Sequence, residues 1–364
     1  MKIMVWCAAR GGMRSVVEAY GRDGFLEKED VRLVASYVDG NFLIKQLVLL
    51  RALVVYLWLL TTKRIELVHA HSAMRGSFWR KGLFTSIARL FGIPVVLHLH
   101  GSEMKPFYES QRPFFRRLIR RHLEKATRVI VLSESWREFV GGIAPAARIV
   151  VVPNYVIVPP PTEPELRRPH DLLFLGLVGS RKGTFDLIPA FASIARDHPD
   201  ARLVIGGNGQ VEEADKLVKD LSMDGRVILA GWVDGQKKQA LLEASGIYIL
   251  PSYNEGLPMS VLEAMAAGVA VITTRVGGIP ELITNGVDGV LIDAGDQEGL
   301  ANAISALVSN EGLRTRLAEA GRMRVENHYS DRVILPLLHR IYEEASGLSK
   351  RQGTASSQTL EGRS

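Results

Sequence analysis

Glu255 and Glu263, separated by seven residues, flank the point where an apolar run turns into a helix. The run Ile247-Tyr-Ile-Leu250 reads as a buried strand. The polar turn Pro251-Ser-Tyr-Asn-Glu255-Gly256-Leu257-Pro258 follows, and the helix after it stops at Gly268. Pro258 suits the first helical turn, where its missing N–H leaves no hydrogen bond unmade. The amides of Gly256, Leu257, Met259 and Ser260 lie at the helix mouth, where free N–H groups hold phosphate. Carboxylates bind hydroxyls instead. Amide donors beside two carboxylates therefore suit a sugar nucleotide better than ATP.

Upstream, Gly176-Leu-Val-Gly-Ser-Arg181-Lys182-Gly183 follows another apolar strand, and Gly183 is expected to open a helix. Lys182 offers a diphosphate a point charge beside that helix mouth, and Arg181 adds directed donors. Prearranged cations there would act where charge builds on a departing phosphate. Gly206-Gly-Asn-Gly209 is a tight turn after the next strand, and Gly231-Trp-Val233 follows a third.

The Glu-x7-Glu pair, within Asn-Glu-Gly-Leu-Pro and Glu-Ala-Met-Ala-Ala-Gly and ahead of Gly-Gly-Ile-Pro-Glu at 277–281, resembles the signature of the retaining family-4 glycosyltransferases. The wording is closest to the branch that builds bacterial exopolysaccharide and capsule. The resemblance runs from Gly11 to about Tyr342 and is densest between Phe174 and Asp293. It implies an α/β fold of GT-B type, two Rossmann-like doubly wound domains facing across a cleft. It assigns the donor sugar hydroxyls to Glu255, the ribose to Glu263, the diphosphate to Lys182, the shape of the nucleotide pocket to the turn ending at Gly209, and the surroundings of the base to Val233. The chain departs from the family at Leu177, where the usual residue is a phosphate-binding arginine; Arg181 is the expected substitute.

In the first half, the resemblance places Gly11 and Gly12 against donor phosphate and His100 at the donor sugar, near the reacting centre. Glu103 is a weaker, acceptor-side candidate. His98 and His100 face the same way on an extended run, as do His69 and His71. The sequence positions no third ligand beside either pair, so no metal site is expected. The family is thought to retain configuration by same-face, dissociative displacement, with the departing phosphate helping to deprotonate the acceptor. That role for phosphate fits the missing Asp-x-Asp motif and a reaction without cofactor or divalent metal. The complete dinucleotide glycine pattern is absent, which argues against a dehydrogenase.

The implied reaction moves a hexose from a nucleoside-diphosphate sugar to a polyprenyl-diphosphate-linked saccharide. A nucleotide-sugar epimerase or a starch/glycogen-type synthase on the same fold is the alternative, and an inactive sugar-nucleotide-binding subunit is another.

The elements that must position these residues alternate along 364 residues, with 47% apolar and 23% charged content, as in an ordinary globular protein. One cysteine, Cys7, excludes a disulfide framework. The apolar strand beginning at Ile3 leaves no room for a signal peptide, so a cytoplasmic location, peripheral to the inner face of the membrane, is expected. Strands and helices point to an acceptor domain at 1–160 and a nucleotide-sugar domain at 170–328, divided at the prolines 159–161. The resemblance implies that a helix at 329–346 crosses back onto the first domain, and the composition of 347–364 suggests a disordered tail.

The net charge of +6 concentrates in Arg112–Arg128, a basic stretch with Phe115, Leu118, Ile119 and Leu123 at helical spacing. It suits an anionic membrane surface, and no base-reading motif accompanies it, so no nucleic-acid partner is expected. The apolar run Phe42–Leu60 reads as a buried crossover helix rather than a span, because Lys45, Gln46 and Arg51 interrupt it.

Overall fold

The structure, a computed structural model, describes residues 1–9 and 12–361; the side chains of Pro164 and of 348–361 lie outside that description. Two compact units emerge, Met1–Asn154 with the chain from Asp331 onward, and Tyr155–Ser330.

The first unit begins β1 (Lys2–Trp6), α1 (Gly12–Arg22), α2 (Phe25–Lys28), β2 (Val31–Ala35), α3 (Phe42–Thr62) and β3 (Leu67–Ser72). It continues α4 (Gly76–Leu90), β4 (Val95–Leu99), α5 (Met104–Glu109), α6 (Pro113–Glu124), β5 (Arg128–Val131), α7 (Glu134–Ile143) and β6 (Ile149–Val151). Its strands form one parallel sheet in the order β2-β1-β3-β4-β5-β6.

Register sorts the residues of this sheet between its faces. Ile3 pairs with Val68, Val68 with Val95, Ala70 with Leu97 and Leu97 with Val129. These residues meet Tyr56 and Leu59 of α3, Phe84 of α4, Ile119 and Leu123 of α6 and Val140 of α7 in the buried core. The alternate positions, among them His69, His71 and His98, point to the opposite face. There they meet Tyr20 of α1 and Tyr342.

The second unit runs β7 (Arg168–Leu175), α8 (Thr184–Ile194), β8 (Arg202–Gly206), α9 (Val211–Asp220), β9 (Val227–Gly231), α10 (Gly235–Ala244) and β10 (Ser245–Leu250). Then come α11 (Met259–Ala266), β11 (Ala270–Thr274), α12 (Ile279–Leu282), β12 (Val290–Ile292), α13 (Gln297–Ser309) and α14 (Glu311–His328). The sheet order is β12-β11-β10-β7-β8-β9, all parallel. This is the doubly wound dinucleotide-fold order, and its direction reverses between β7 and β10. Ligands of such sheets bind at the carboxyl ends of the strands flanking that reversal. The last helix, α15 (Asp331–Glu361), belongs to the first unit, where Arg128 pairs with Glu344 at 3.2 Å.

Three expectations need correction. The division falls at Asn154, before the prolines, because the passage after it is tied to the second unit. The Val156 amide donates to the Tyr329 carbonyl at 3.0 Å, and Arg322 holds the Pro159 carbonyl at 2.5 Å. The helix expected to end near 346 continues to Glu361, through most of the tail read as disordered. Residues 362–364 lie outside the described structure.

The third correction is α3, which is not buried. It packs through Ala52, Tyr56, Leu59 and Leu60, while Phe42, Leu47, Leu50, Val54 and Trp58 are each more than half exposed. A helix apolar all round reads as buried from composition alone, and only the sheet beneath it decides how much is covered.

Candidate active site

The loops after β7 and β10, the two strands at the reversal, carry Lys182 and Glu255. The Lys182 ammonium sits 2.5 Å from Glu255 Oε1, and both side chains are largely buried. Ser252 donates to the same carboxylate oxygen at 2.6 Å. A buried carboxylate needs such partners, since desolvation of an unpaired charge is expensive.

Two glycines let the loop after β10 approach its neighbours, the loops after β7 and β11. Gly183, with φ +71°, caps the start of α8 rather than lying within it, and a Cβ there would stand 2.0 Å from the Pro251 carbonyl oxygen. Gly277, with φ +57°, passes so close to Glu255 that a Cβ would stand 1.8 Å from its carbonyl oxygen. Backbone bonds complete the contact. The Tyr253 amide donates to the Arg181 carbonyl at 2.9 Å, and the Gly278 amide to the Gly256 carbonyl at 2.8 Å.

Arg181 is exposed and donates to the Asn254 carbonyl at 3.4 Å, while Leu177, 47% exposed, leans on Gly209. The Gly206–Gly209 turn lies against the β7 loop: Gln210 donates through its amide to the Val178 carbonyl at 2.9 Å, and buried Val233 touches Gly206.

Helix α11 opens immediately after Pro258, whose side chain supplies no cap. Met259 and Ser260 therefore begin an uncapped N-terminus next to Gly256 and Leu257, as the sequence suggested. Glu263, within the helix, is held by Lys238 of α10 at 2.6 Å. Lys238 escaped the sequence reading because its partner is reached only through tertiary packing. Ser252 was overlooked for a simpler reason: a serine in a turn carries no spacing signal.

His100, Glu103 and Gly12 belong to the first unit. His100, just past β4, has its Nε2 2.7 Å from Nδ1 of His71, and its amide donates to the Ser72 carbonyl. Burial among the neighbouring imidazoles keeps it neutral, with its pKa lowered to about 3. Glu103 pairs with Arg75 at 3.4 Å. Arg75, Trp79, Phe107 and Gln111 line an open groove of about 590 Å³. Among the described residues, chain neighbours aside, nothing lies within 4 Å of where a Cβ at Gly12 would stand. Gly11 lies outside the described residues. The sequence positioned only pairs of histidines; the structure brings His69, His71 and His98 together.

Known proteins share this architecture. The model for glycosyl transferases group 1 matches residues 162–324, and that for the glycosyl transferase 4-like domain matches residues 1–155. The alpha-maltose-1-phosphate synthase of Mycolicibacterium smegmatis is 30% identical over 77% of this chain and 79% of its own length. The lipopolysaccharide core biosynthesis glycosyltransferase LpsE of Rhizobium meliloti is 36% identical over 45% of this chain. That match spans 46% of LpsE, and the chain spans similarly less than half of several other curated relatives. Among solved structures, Anabaena HepE in complex with UDP superposes with a TM-score of 0.74 at 18% identity, covering 95% of this chain and 99% of HepE. The chain belongs to the group 1, family-4-like glycosyltransferases, and its two parallel sheets have the GT-B fold.

Proposed function

We propose that the protein is a retaining, metal-independent hexosyltransferase that uses a uridine-diphosphate sugar and a lipid-linked saccharide acceptor. The observation that carries the donor half is the Lys182–Glu255 pair at the strand-order reversal, next to the uncapped start of α11. In this reading the acceptor hydroxyl forms a bond to the anomeric carbon as the sugar–diphosphate bond breaks. Its proton passes to the departing phosphate. Lys182, with Arg181 in place of the arginine missing at Leu177, stabilises the charge on that phosphate. Glu255 binds sugar hydroxyls and Glu263 the ribose. A uridine base is favoured because the fold is shared with HepE, solved with UDP-glucose.

Support for a lipid-linked acceptor comes from the first unit. Along α3, Leu47, Leu50, Val54 and Trp58 form an exposed apolar stripe with Lys45 and Arg51 beside it. This helix is long and apolar enough to cross a membrane. Yet Tyr56 donates to the Phe84 carbonyl at 2.9 Å, and one side packs on the sheet, an arrangement suited to lying on a membrane. On the same side of that sheet, α6 exposes Phe114, Phe115 and Leu118 with Arg117 and Arg121. Ile119, first read as a membrane-facing residue, belongs to the core instead.

The test is a screen of nucleotide sugars against lipid-linked and soluble acceptors, following nucleoside-diphosphate release and the anomeric linkage of the product. Transfer from a UDP-hexose to the lipid-linked acceptor, with the donor's anomeric configuration kept and no need for added Mg²⁺ or Mn²⁺, is expected. Preference for a soluble glucan would favour a synthase of the kind seen among the relatives named glycogen synthase.

A further inference from the structure

Beneath the β4 end, on the sheet face opposite α3 and α6, four imidazoles crowd together. His69 and His71 are two apart on β3, and His71 is in register with His98 on β4. The His69 and His98 rings stack at 5.4 Å with 4° between their planes, and His71 lies 4.2 Å and 5.0 Å from them. One ring nitrogen from each of the three lies within 4.8 Å of the others.

Two of these rings are fixed from behind. Nδ1 of His69 is 2.7 Å from the Tyr342 hydroxyl on α15, and Nδ1 of His71 is 2.7 Å from Nε2 of His100. Their Nε2 atoms, and both nitrogens of His98, are buried and have no hydrogen-bond partner among the described residues. Unpaired polar atoms in a core are unfavourable, and here they are gathered in one cluster. Protonation does not relieve them, because burial lowers the pKa of all three histidines. Neutral imidazole is the form that binds metal. A ligating ring nitrogen whose opposite N–H is held by another group is the usual second layer of a metal site.

We propose that His69, His71 and His98 form a buried three-imidazole site for a borderline divalent transition ion of the zinc class. Three neutral nitrogens without a carboxylate in the group suit zinc, cobalt or nickel over magnesium or calcium. Ligand nitrogens on a tetrahedral ion stand about 3.3 Å apart for bonds of about 2.0–2.1 Å, so modest ring rotation closes the site. Ligation through Nε2 fixes the proton of His69 and of His71 on Nδ1. His71 then donates to His100, which keeps its own proton on Nδ1, and His69 donates to Tyr342. The ion thus ties α15 to β3 and sets the tautomer of His100. Beyond its effect on the His100 tautomer, the site takes no part in the diphosphate chemistry.

The test is titration of Co²⁺ into the full chain, freed of any histidine tag and stripped of metal, following ligand-field absorption and displacement by Zn²⁺. One Co²⁺ per chain with tetrahedral-type bands is expected, together with a rise in Tm on adding Zn²⁺. His98→Ala and His69→Gln should each weaken binding at least a hundredfold, whereas exposed His328→Ala should leave it unchanged. Tyr342→Phe keeps every ligand and the packed ring and should weaken binding about tenfold, a readout that does not depend on the histidine variants folding. Absence of saturable Co²⁺ binding in the wild type, or binding as tight in a folded His98→Ala, overturns the proposal.

Discussion

Replacing Gly183 by alanine tests whether the Lys182 and Glu255 loops are held by backbone contact. Two penalties arise. The left-handed conformation, φ +71°, costs an alanine about 1–2 kcal/mol. The new Cβ would stand 2.0 Å from the Pro251 carbonyl oxygen and 2.8 Å from its carbon, so one loop must withdraw by more than an ångström. Overpacking of that kind adds about 1–3 kcal/mol. Gly225 supplies the control, with φ +77° and, among the described residues and chain neighbours aside, nothing within 4 Å of an added Cβ, so Gly225→Ala should show only the first penalty. Denaturant midpoints at matched m-values give the two losses, and their difference isolates the loop contact. Calorimetric titration with UDP provides a second readout, with at least tenfold weaker binding expected for Gly183→Ala alone. If Gly183→Ala is no less stable than Gly225→Ala, the two loops do not depend on this contact and the account of how the site is assembled is wrong.

Other consequences follow from the same residues. Glu255→Gln should lower transfer at least tenfold without changing near-UV circular dichroism, because it removes the negative charge paired with Lys182 while keeping an amide oxygen that Lys182 and Ser252 can still reach; unchanged turnover at low and saturating donor would sink its assignment. Arg181→Ala should slow transfer, and adding Leu177→Arg should restore part of the loss; a harmless Arg181→Ala would make it a surface residue. In flotation with phosphatidylglycerol vesicles, Leu50→Gln with Val54→Gln should reduce binding at every salt concentration. Arg117→Gln with Arg121→Gln should remove the salt-sensitive part, and wild-type binding by both would clear α3 and α6 of membrane contact. Lys81 is fully buried, its ammonium on the Trp6 carbonyl and the Ser36 hydroxyl, and burial lowers its pKa to about 7. The unfolded chain therefore binds the extra proton above that pH, and wild-type stability gains as pH rises through 7. Lys81→Met should be stabilising at about pH 6 and lose that advantage by about pH 9; a pH-independent difference would refute the burial argument.

The architecture was legible because period and punctuation act locally. Continuous apolar runs such as Ile247–Leu250 mark buried parallel strands, and that run lies within β10. The short helices α2, α5 and α12 were not expected, since four to six residues are too few to display a helical period. The turn carrying Glu255 was readable from one contiguous stretch. What it touches was not, because Lys182 lies 73 residues away and reaches it only when β7 and β10 become neighbours. Long-range strand pairing hid the histidine cluster in the same way. The sequence shows two His-x-His pairs; only the β3–β4 register makes them one group.

The ion pair bears on how the proposed donor would bind. A largely buried Lys182–Glu255 pair has already lost most of its hydration, so little further desolvation accompanies a ligand that replaces one partner by another. A diphosphate oxygen offers Lys182 a second anion, and a sugar hydroxyl offers Glu255 a donor, leaving Ser252 to hold the shared oxygen. UDP alone supplies the first of these partners without the second. In the proposed reaction it should bind Glu255→Gln nearly as well as wild type, while an intact UDP-sugar should bind it more weakly. Loss of UDP affinity equal to the loss of UDP-sugar affinity would mean that Glu255 serves only to hold Lys182, and would remove it from the sugar site.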